Sequence, residues 1–153
     1  MAIARGAGTE IIRTAMFEYA GGNTVAQDLI IGAQHHIYTV LSIVCFAKAT
    51  SGGLEFYLTG YDCQGGDSAQ NVILFQAGTV SINQTYVIND KFSFNGCEPT
   101  DLSGGSIDGL DTIAKQEQLA DQGTSTSQIL RMAKSANGDQ WEVLISFIDQ
   151  NNA

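Results

Sequence analysis

A chain of 153 residues is the length of one domain and is long enough for a two-layer hydrophobic core. Sixteen acidic against seven basic residues give a formal charge of −9, and between Arg13 and Lys91 the only basic residue is Lys48. That excludes a basic stripe for DNA or RNA and disfavours anionic membranes. Charged residues make up only 15% of the chain, where about 25% is ordinary. Gly, Ser, Thr, Asn and Gln take their place, which suits an extracellular or virion protein whose faces are largely covered by neighbours.

Residues 1–9 are small in character and read as a flexible N-terminal arm, so that 10–153 form a single domain with no repeat and no linker. Glu10–Tyr19 is the first strand, with Ile12, Thr14, Met16 and Glu18 on one face and Ile11, Ala15, Phe17 and Tyr19 on the other. Gly21-Gly22-Asn23 ends it, and a short apolar stretch, Asp28–Ile31, follows. His36–Tyr61 is the stretch around which the rest is expected to be organised. Under strict alternation Tyr38, Val40, Val44 and Phe46 point one way and Ile37, Leu41, Ile43 and Cys45 the other, so both faces are apolar and both need cover. Leu54, Phe56 and Leu58 share a face of the next strand, and Ser51-Gly52-Gly53 between the two predicts a hairpin.

Asn71–Gln76 is again apolar on both sides. Thr79–Ile82 and Thr85–Ile88 flank Asn83-Gln84 as a second hairpin-like step. Bringing Val87 and Phe92 or Phe94 onto one core face requires a bulge or break at Asn89-Asp90. Gly96–Gly109, with the only proline at Pro99, is the least structured portion. Asp111–Asp121 is the one helical segment, with Asp111 as its cap and Gly123 as its stop. Ser127–Lys134 and Gln140–Ile148 then make a last hairpin around Ala136-Asn137-Gly138, with Trp141, Val143, Ile145 and Phe147 on one face. The expected architecture is an all-β antiparallel sandwich or jelly roll of about eight strands with at most one short helix, 111–121.

Met1–Gly8 carries one Arg and no apolar core, so no signal peptide is expected, and no run approaches the roughly 20 apolar residues of a membrane span. Three cysteines cannot all pair within one chain. Cys45 reads as a buried small hydrophobe, while Cys63 and Cys97 lie in Gly-containing loops where either a bridge or two thiols are open. Three thiols in a reducing cytoplasm is the expectation.

Little in the chain speaks of chemistry. His35 and His36 are neighbours that point to opposite faces of an extended chain, so they do not converge on one metal; the expected arrangement is a loop-to-strand edge with one His exposed. Asp101, Asp108 and Asp111 fall in one loop, but their spacing does not match an EF-hand. Phosphate-loop, dinucleotide, zinc-protease and esterase motifs are all missing. No catalytic, cofactor-binding or metal residues are assigned, and the chain is not expected to be an enzyme. Trp141, Tyr57, Tyr61 and Tyr86 leave a glycan-stacking role open.

The segments HIYTVLSIVCFAKAT, LEFYLTGYD, VSINQTYVINDKFSF and WEVLISFID, taken in this order, resemble the small β-sandwich structural proteins of tailed bacteriophage virions, among them capsid decoration (cement) proteins. The resemblance covers about residues 10–150 and contains no diagnostic motif. It implies a virion protein made in the host cytoplasm, homo-oligomeric and commonly trimeric, seated on the major capsid protein or another virion protein. It implies no cofactor, no nucleic-acid or membrane partner and no catalytic residues.

Overall fold

A computed structural model describes residues 9–19, 26–49, 52–61, 69–97, 126–134 and 138–151. Among these the chain is all β: β1 (Thr9–Tyr19), β2 (Gln27–Ile31), β3 (His36–Ala49), β4 (Leu54–Tyr61), β5 (Ala69–Ala77), β6 (Thr85–Ile88), β7 (Phe92–Asn95), β8 (Ile129–Lys134) and β9 (Gln140–Asn151). Two antiparallel sheets result, β1-β9-β3 with β6 and β7 end to end along the far edge of β3, and β2-β8-β4-β5. The β-sandwich expected from the alternation is therefore present. The helix segment 111–121, the arm before residue 9, most of Gly96–Gly109 and Cys63 lie outside the described residues.

The core is made from the inner faces of both sheets. Tyr38, Val40, Ile43, Cys45, Ala47, Trp141, Val143, Ile145 and Phe147 come from the first, and Leu54, Phe56, Leu130 and Met132 from the second. The face shared by Trp141, Val143, Ile145 and Phe147 is buried as expected. In β3 strict alternation fails. Val40 pairs with Phe147 and Ser42 with Ser146, so Leu41 is an extra residue in the ladder. That bulge reverses the parity: Tyr38 and Val40 before it face the core together with Ile43, Cys45 and Ala47 after it, while Val44 and Phe46 turn outward.

On the other edge of β3 the same irregularity shows as the gap between β6 and β7, at Asn89, Asp90 and Lys91. The expected break is there, but Val87 pairs with Val44 on the outer face, and Tyr86 and Ile88 are the residues turned inward. The segment 79–82 is not a strand; it carries Val80 into the core and ends at a turn where Asn83 takes a positive φ of 61°.

Two expected hairpins are crossings between layers. β3 lies in the first sheet and β4 in the second, and the same holds for β9 and β8. The alternation of a strand tells which residues face inward, but not which neighbour pairs with it, and a glycine-rich reversal serves a step of about 10 Å between sheets as well as a hairpin. The two crossings meet at one end of the sandwich. Asp139, 1% exposed, lies so close to Gly52 that a Cβ there would run into its carboxylate. Buried Lys134 donates to the Asp139 carbonyl at 3.0 Å and sits 4.8 Å over the Tyr19 ring. At the opposite end, backbone bonds run from Gly32 to Gln128, from Gln128 to Gly96 and from Gly96 to the His36 carbonyl, joining both sheets.

Val143 is flanked by Phe17 on β1 and Cys45 on β3 and is 2% exposed. Val143→Asp buries a carboxylate without a partner and is expected to cost about 4 kcal/mol. A thermal melt of the variant should fall by about 8 °C or more; a loss of only a degree or two would show the face to be wrongly placed. Burial pushes the Cys45 thiol up to about 12. Folded protein should therefore leave Cys45 unlabelled by alkylating reagents at pH 8 until it is denatured. The unfolded thiol ionises from about pH 9, whereas the folded one keeps its proton to about 12, so stability from this group is whole below pH 9 and is lost as pH rises toward 12. Denaturant titrations at pH 8 and pH 10.5 read this, and Cys45→Ala should flatten the difference.

Candidate interaction surface

The two outer faces of the sandwich differ in chemistry. On the β2-β8-β4-β5 sheet the outward residues include a polar network. Arg131 Nε donates to Asp28 Oδ1 at 2.6 Å and Arg131 Nη1 to Thr59 Oγ1 at 3.3 Å. Thr59 Oγ1 donates in turn to Asn71 Oδ1 at 2.8 Å, and Gln76 Nε2 donates to Glu55 Oε1 at 2.6 Å. Ile31 and Ile73, 61% and 53% exposed, stand in the same rows toward the two edges of the sheet, so its centre is polar and its edges are apolar.

The outer face of the β1-β9-β3 sheet is built otherwise. Cross-strand pairing aligns Met16, Leu144, Val44 and Val87 in one row that crosses β1, β9, β3 and β6. Phe46 lies in the next row, beside Glu142 and Thr85, and Ile12 pairs with Ile148 two rows to the other side. Exposure is high for side chains of this size: 83% for Met16, 73% for Ile12 and 54% for Val87. Met16, Val44, Phe46 and Leu144 line a shallow depression of about 510 Å³. Singly exposed apolar residues are normal on a soluble protein, but a continuous row with a depression is the signature of a covered surface.

One end of the row is closed by charge. Lys48 is the extra residue of a second bulge in β3, between Ala47 and Ala49, and projects over the outer face. Its Nζ lies 2.9 Å from Glu18 Oε1 and 3.1 Å from Glu142 Oε1. Hydrogen bonds to these two carboxylates hold the ammonium above its usual pKa. The pattern of apolar centre and charged rim is the anatomy of a protein–protein contact.

The histidines lie elsewhere, at the end where β1, β3 and β9 run together. His36 Nδ1 is 2.6 Å from Asp149 Oδ1, and Arg13 Nε donates to the other oxygen, Asp149 Oδ2, at 3.1 Å. His36 stacks on Tyr38, whose hydroxyl accepts from the Ala33 amide at 3.2 Å, and Tyr38 stacks on Phe94. His35 takes a positive φ of 67°. Neither imidazole is exposed as expected; both are half-buried, because the bend at 32–35 folds the segment back against the sandwich. The carboxylate orients the imidazole and neutralises the guanidinium, and the group ties three neighbouring strands. No local pattern announces it, since Arg13 and Asp149 are 136 positions apart and meet only through the β1–β9 register.

Trp141 is 1% exposed and part of the core, so it offers no stacking face for a sugar. Tyr57 and Tyr86 are half-buried, the latter donating to Gln84 at 3.1 Å. Cys97 is buried and forms a single β-bridge with Ser127. Its pairing with Cys63, and any site at Asp101, Asp108 and Asp111, lie outside the described residues. Among the described residues no three His, Cys, Asp or Glu side chains gather as a metal site, and no helix is long and apolar enough to cross a membrane.

No known protein family matches the sequence, and no curated protein matches it. Solved structures align with the chain only at low identity and low TM-score. A protein of the Bacillus endospore appendages, a family of disulfide-linked pili, aligns with 100% of this chain and 97% of its own, at 8% identity and a TM-score of 0.49. A protein of infectious bursal disease virus, Gx strain, aligns with 95% of this chain at 13% identity and a TM-score of 0.43. A protein of the T13 particle of that virus aligns with 96% at 7% identity and a TM-score of 0.38. The chain spans 33% and 36% of these two viral proteins. At such identities and scores the likeness carries no argument about function.

Proposed function

We propose that the chain is a structural subunit of a virion shell, a capsid decoration protein that stabilises a phage head by contacts between subunits and performs no catalysis. What supports this reading is the apolar row Met16–Leu144–Val44–Val87 on the outer face of one sheet, set against the polar network on the other. A two-layer sandwich needs only its inner faces to be apolar. An outer face built of Met, Leu, Val, Phe and Ile is useful only if a neighbour covers it.

Size agrees. β1, β9, β3 and β6 hold 11, 12, 14 and 4 residues, which at about 4.8 Å between strands and about 3.3 Å per residue give a face of roughly 650 Å². A standard-size interface takes roughly 800 Å² from each partner. Charge agrees as well: a net charge of −9 opposes self-association, so a contact between copies must use surface with few carboxylates, and this face keeps its carboxylates at its two ends, Glu18 and Glu142 held by Lys48 at one and Glu10 at the other. The protein then acts by adhesion, as a small homo-oligomer, most simply a trimer, on the outside of the shell.

Sedimentation in low and high salt tests the reading. An apolar contact predicts a stable oligomer at tens of micromolar whose association changes little with salt, since screening acts on charges and not on buried methyls. Met16→Lys should break that contact while leaving the melting temperature within a degree or two, because Met16 is 83% exposed in the single chain. A monomer in both buffers, or a Met16→Lys variant that sediments like the parent, would overturn it.

A further inference from the structure

Each sheet ends in strands with one edge unpaired, and these edges are not alike. β1 carries Glu10, Arg13 and Glu18, β2 carries Asp28, and Asp90 and Lys91 separate β6 from β7. Charges of this kind are how proteins keep a free edge from pairing with another chain. β5, AQNVILFQA, has nine residues and neither a charge nor a proline. Among the described residues it pairs only with β4, and none of them bonds to the amides and carbonyls of its other edge. Val72, Ile73 and Leu74 at its middle are 61%, 53% and 41% exposed. Leu74 is the extra residue of a bulge and, with Phe75, lines a cleft of about 240 Å³ that opens between the sheets toward Ile43, Ile88 and Phe92, with Asp90 and Lys91 also in its wall. An edge without charges of its own, beside a cleft that is apolar except for that one pair of opposite charges, is suited to receive an extended strand.

We propose that the strand it receives is β5 of a second copy, paired antiparallel about a two-fold axis near Ile73, so that two four-stranded sheets become one of eight. The identity of the occupant follows from charge. At −9 per chain, two copies repel one another across most of their surfaces. Self-pairing of β5 sets no like charges opposite each other, as self-pairing of β1 about its middle residue would, with Glu10 against Glu18. A two-fold contact also demands a self-complementary strand. With Ile73 central in β5, each copy's Val72 falls against the other's Leu74, beside the cleft. The two outer-face rows are not involved, so this contact stands or falls separately from the outer-face one.

The test uses the full chain in the Met16→Lys background, which removes the outer-face contact. Sedimentation velocity there should show a concentration-dependent dimer. Adding Ile73→Lys, which sets two ammonium groups face to face at the axis, should weaken it by about a hundredfold or more. Ile73→Thr keeps a β-branched residue and adds no charge, and should weaken it by about tenfold. Should the lysine variant fail to fold, Ile73→Cys with Cys63→Ser gives a second readout, a disulfide-linked dimer on mild oxidation. A Met16→Lys protein that is monomeric throughout, an Ile73→Lys variant that leaves its dimer intact, or an Ile73→Cys variant that does not cross-link would each overturn the inference. Failure of the outer-face reading looks different: the parent and Met16→Lys then sediment alike, whatever Ile73 does.

Discussion

One extra residue in β3 sets which surface of its sheet is core. β3 is the central strand, paired with β9 along one edge and with β6 and β7 along the other, and its parity is imposed on all three. Without the bulge at Leu41, the half of the strand holding Tyr38 and Val40 and the half holding Ile43, Cys45 and Ala47 would face opposite ways. Half of the core would then stand in solvent. The neighbours accommodate the bulge differently. β9 runs on regularly from Trp141 to Phe147, whereas the far edge breaks into two strands around Asn89, Asp90 and Lys91. Because both halves are thereby turned inward, both outward sets lie on one surface, which is how Val44 comes to extend the row begun by Met16 and Leu144, with Phe46 in the row beside it.

That surface is the product of a long ladder as well as of composition. Residues as far apart in sequence as Met16, Val44, Val87 and Leu144 become one row because β1–β9, β9–β3 and β3–β6 are each in register there. Charge is handled locally. Lys48 stands in its own bulge, out of the ladder, and bridges Glu18 and Glu142, which would otherwise face each other directly across β1 and β9. An exposed bridge of this kind contributes little to stability. Its effect is to keep two carboxylates from repelling a neighbour at the end of an apolar surface.

Much of the fold was legible in the sequence, and the failures share one cause. Period-two alternation identified the strands and, in Trp141–Phe147 and Leu54–Leu58, the buried face, because those segments run without a bulge on the residues that matter. Alternation says nothing about pairing partners. Gly52-Gly53 and the turn before Gln140 therefore read as hairpins, when each carries the chain from one sheet to the other. What distinguishes them lies far away in sequence: Asp139 packed on Gly52, which needs both crossings at the same end. The apolar second face of β3 was legible, but its members were not, since a strict period sorts Tyr38 with Val44 and the bulge separates them. The Arg13–Asp149–His36 group carries no local signal and appears only with register; that β5 is apolar was legible, but that it is an edge appears only with sheet order.

Two surfaces with different symmetry requirements have consequences for what is assembled. A contact through the outer face joins copies across the sheet, and a contact through β5 joins them within the plane of the other sheet. An isologous contact by itself stops at two copies. A cyclic contact by itself stops at a ring. A chain that has both does not stop: each ring offers several outward β5 edges, and each edge links one ring to the next. Such an assembly spreads over a surface or closes into a shell, and its growth is governed by whichever contact is weaker. The carboxylate excess then has a physical role in place of being an obstacle. With 16 acidic residues against 7 basic ones, a contact that sets carboxylates against carboxylates is penalised, which favours surfaces with little uncompensated charge over other pairings.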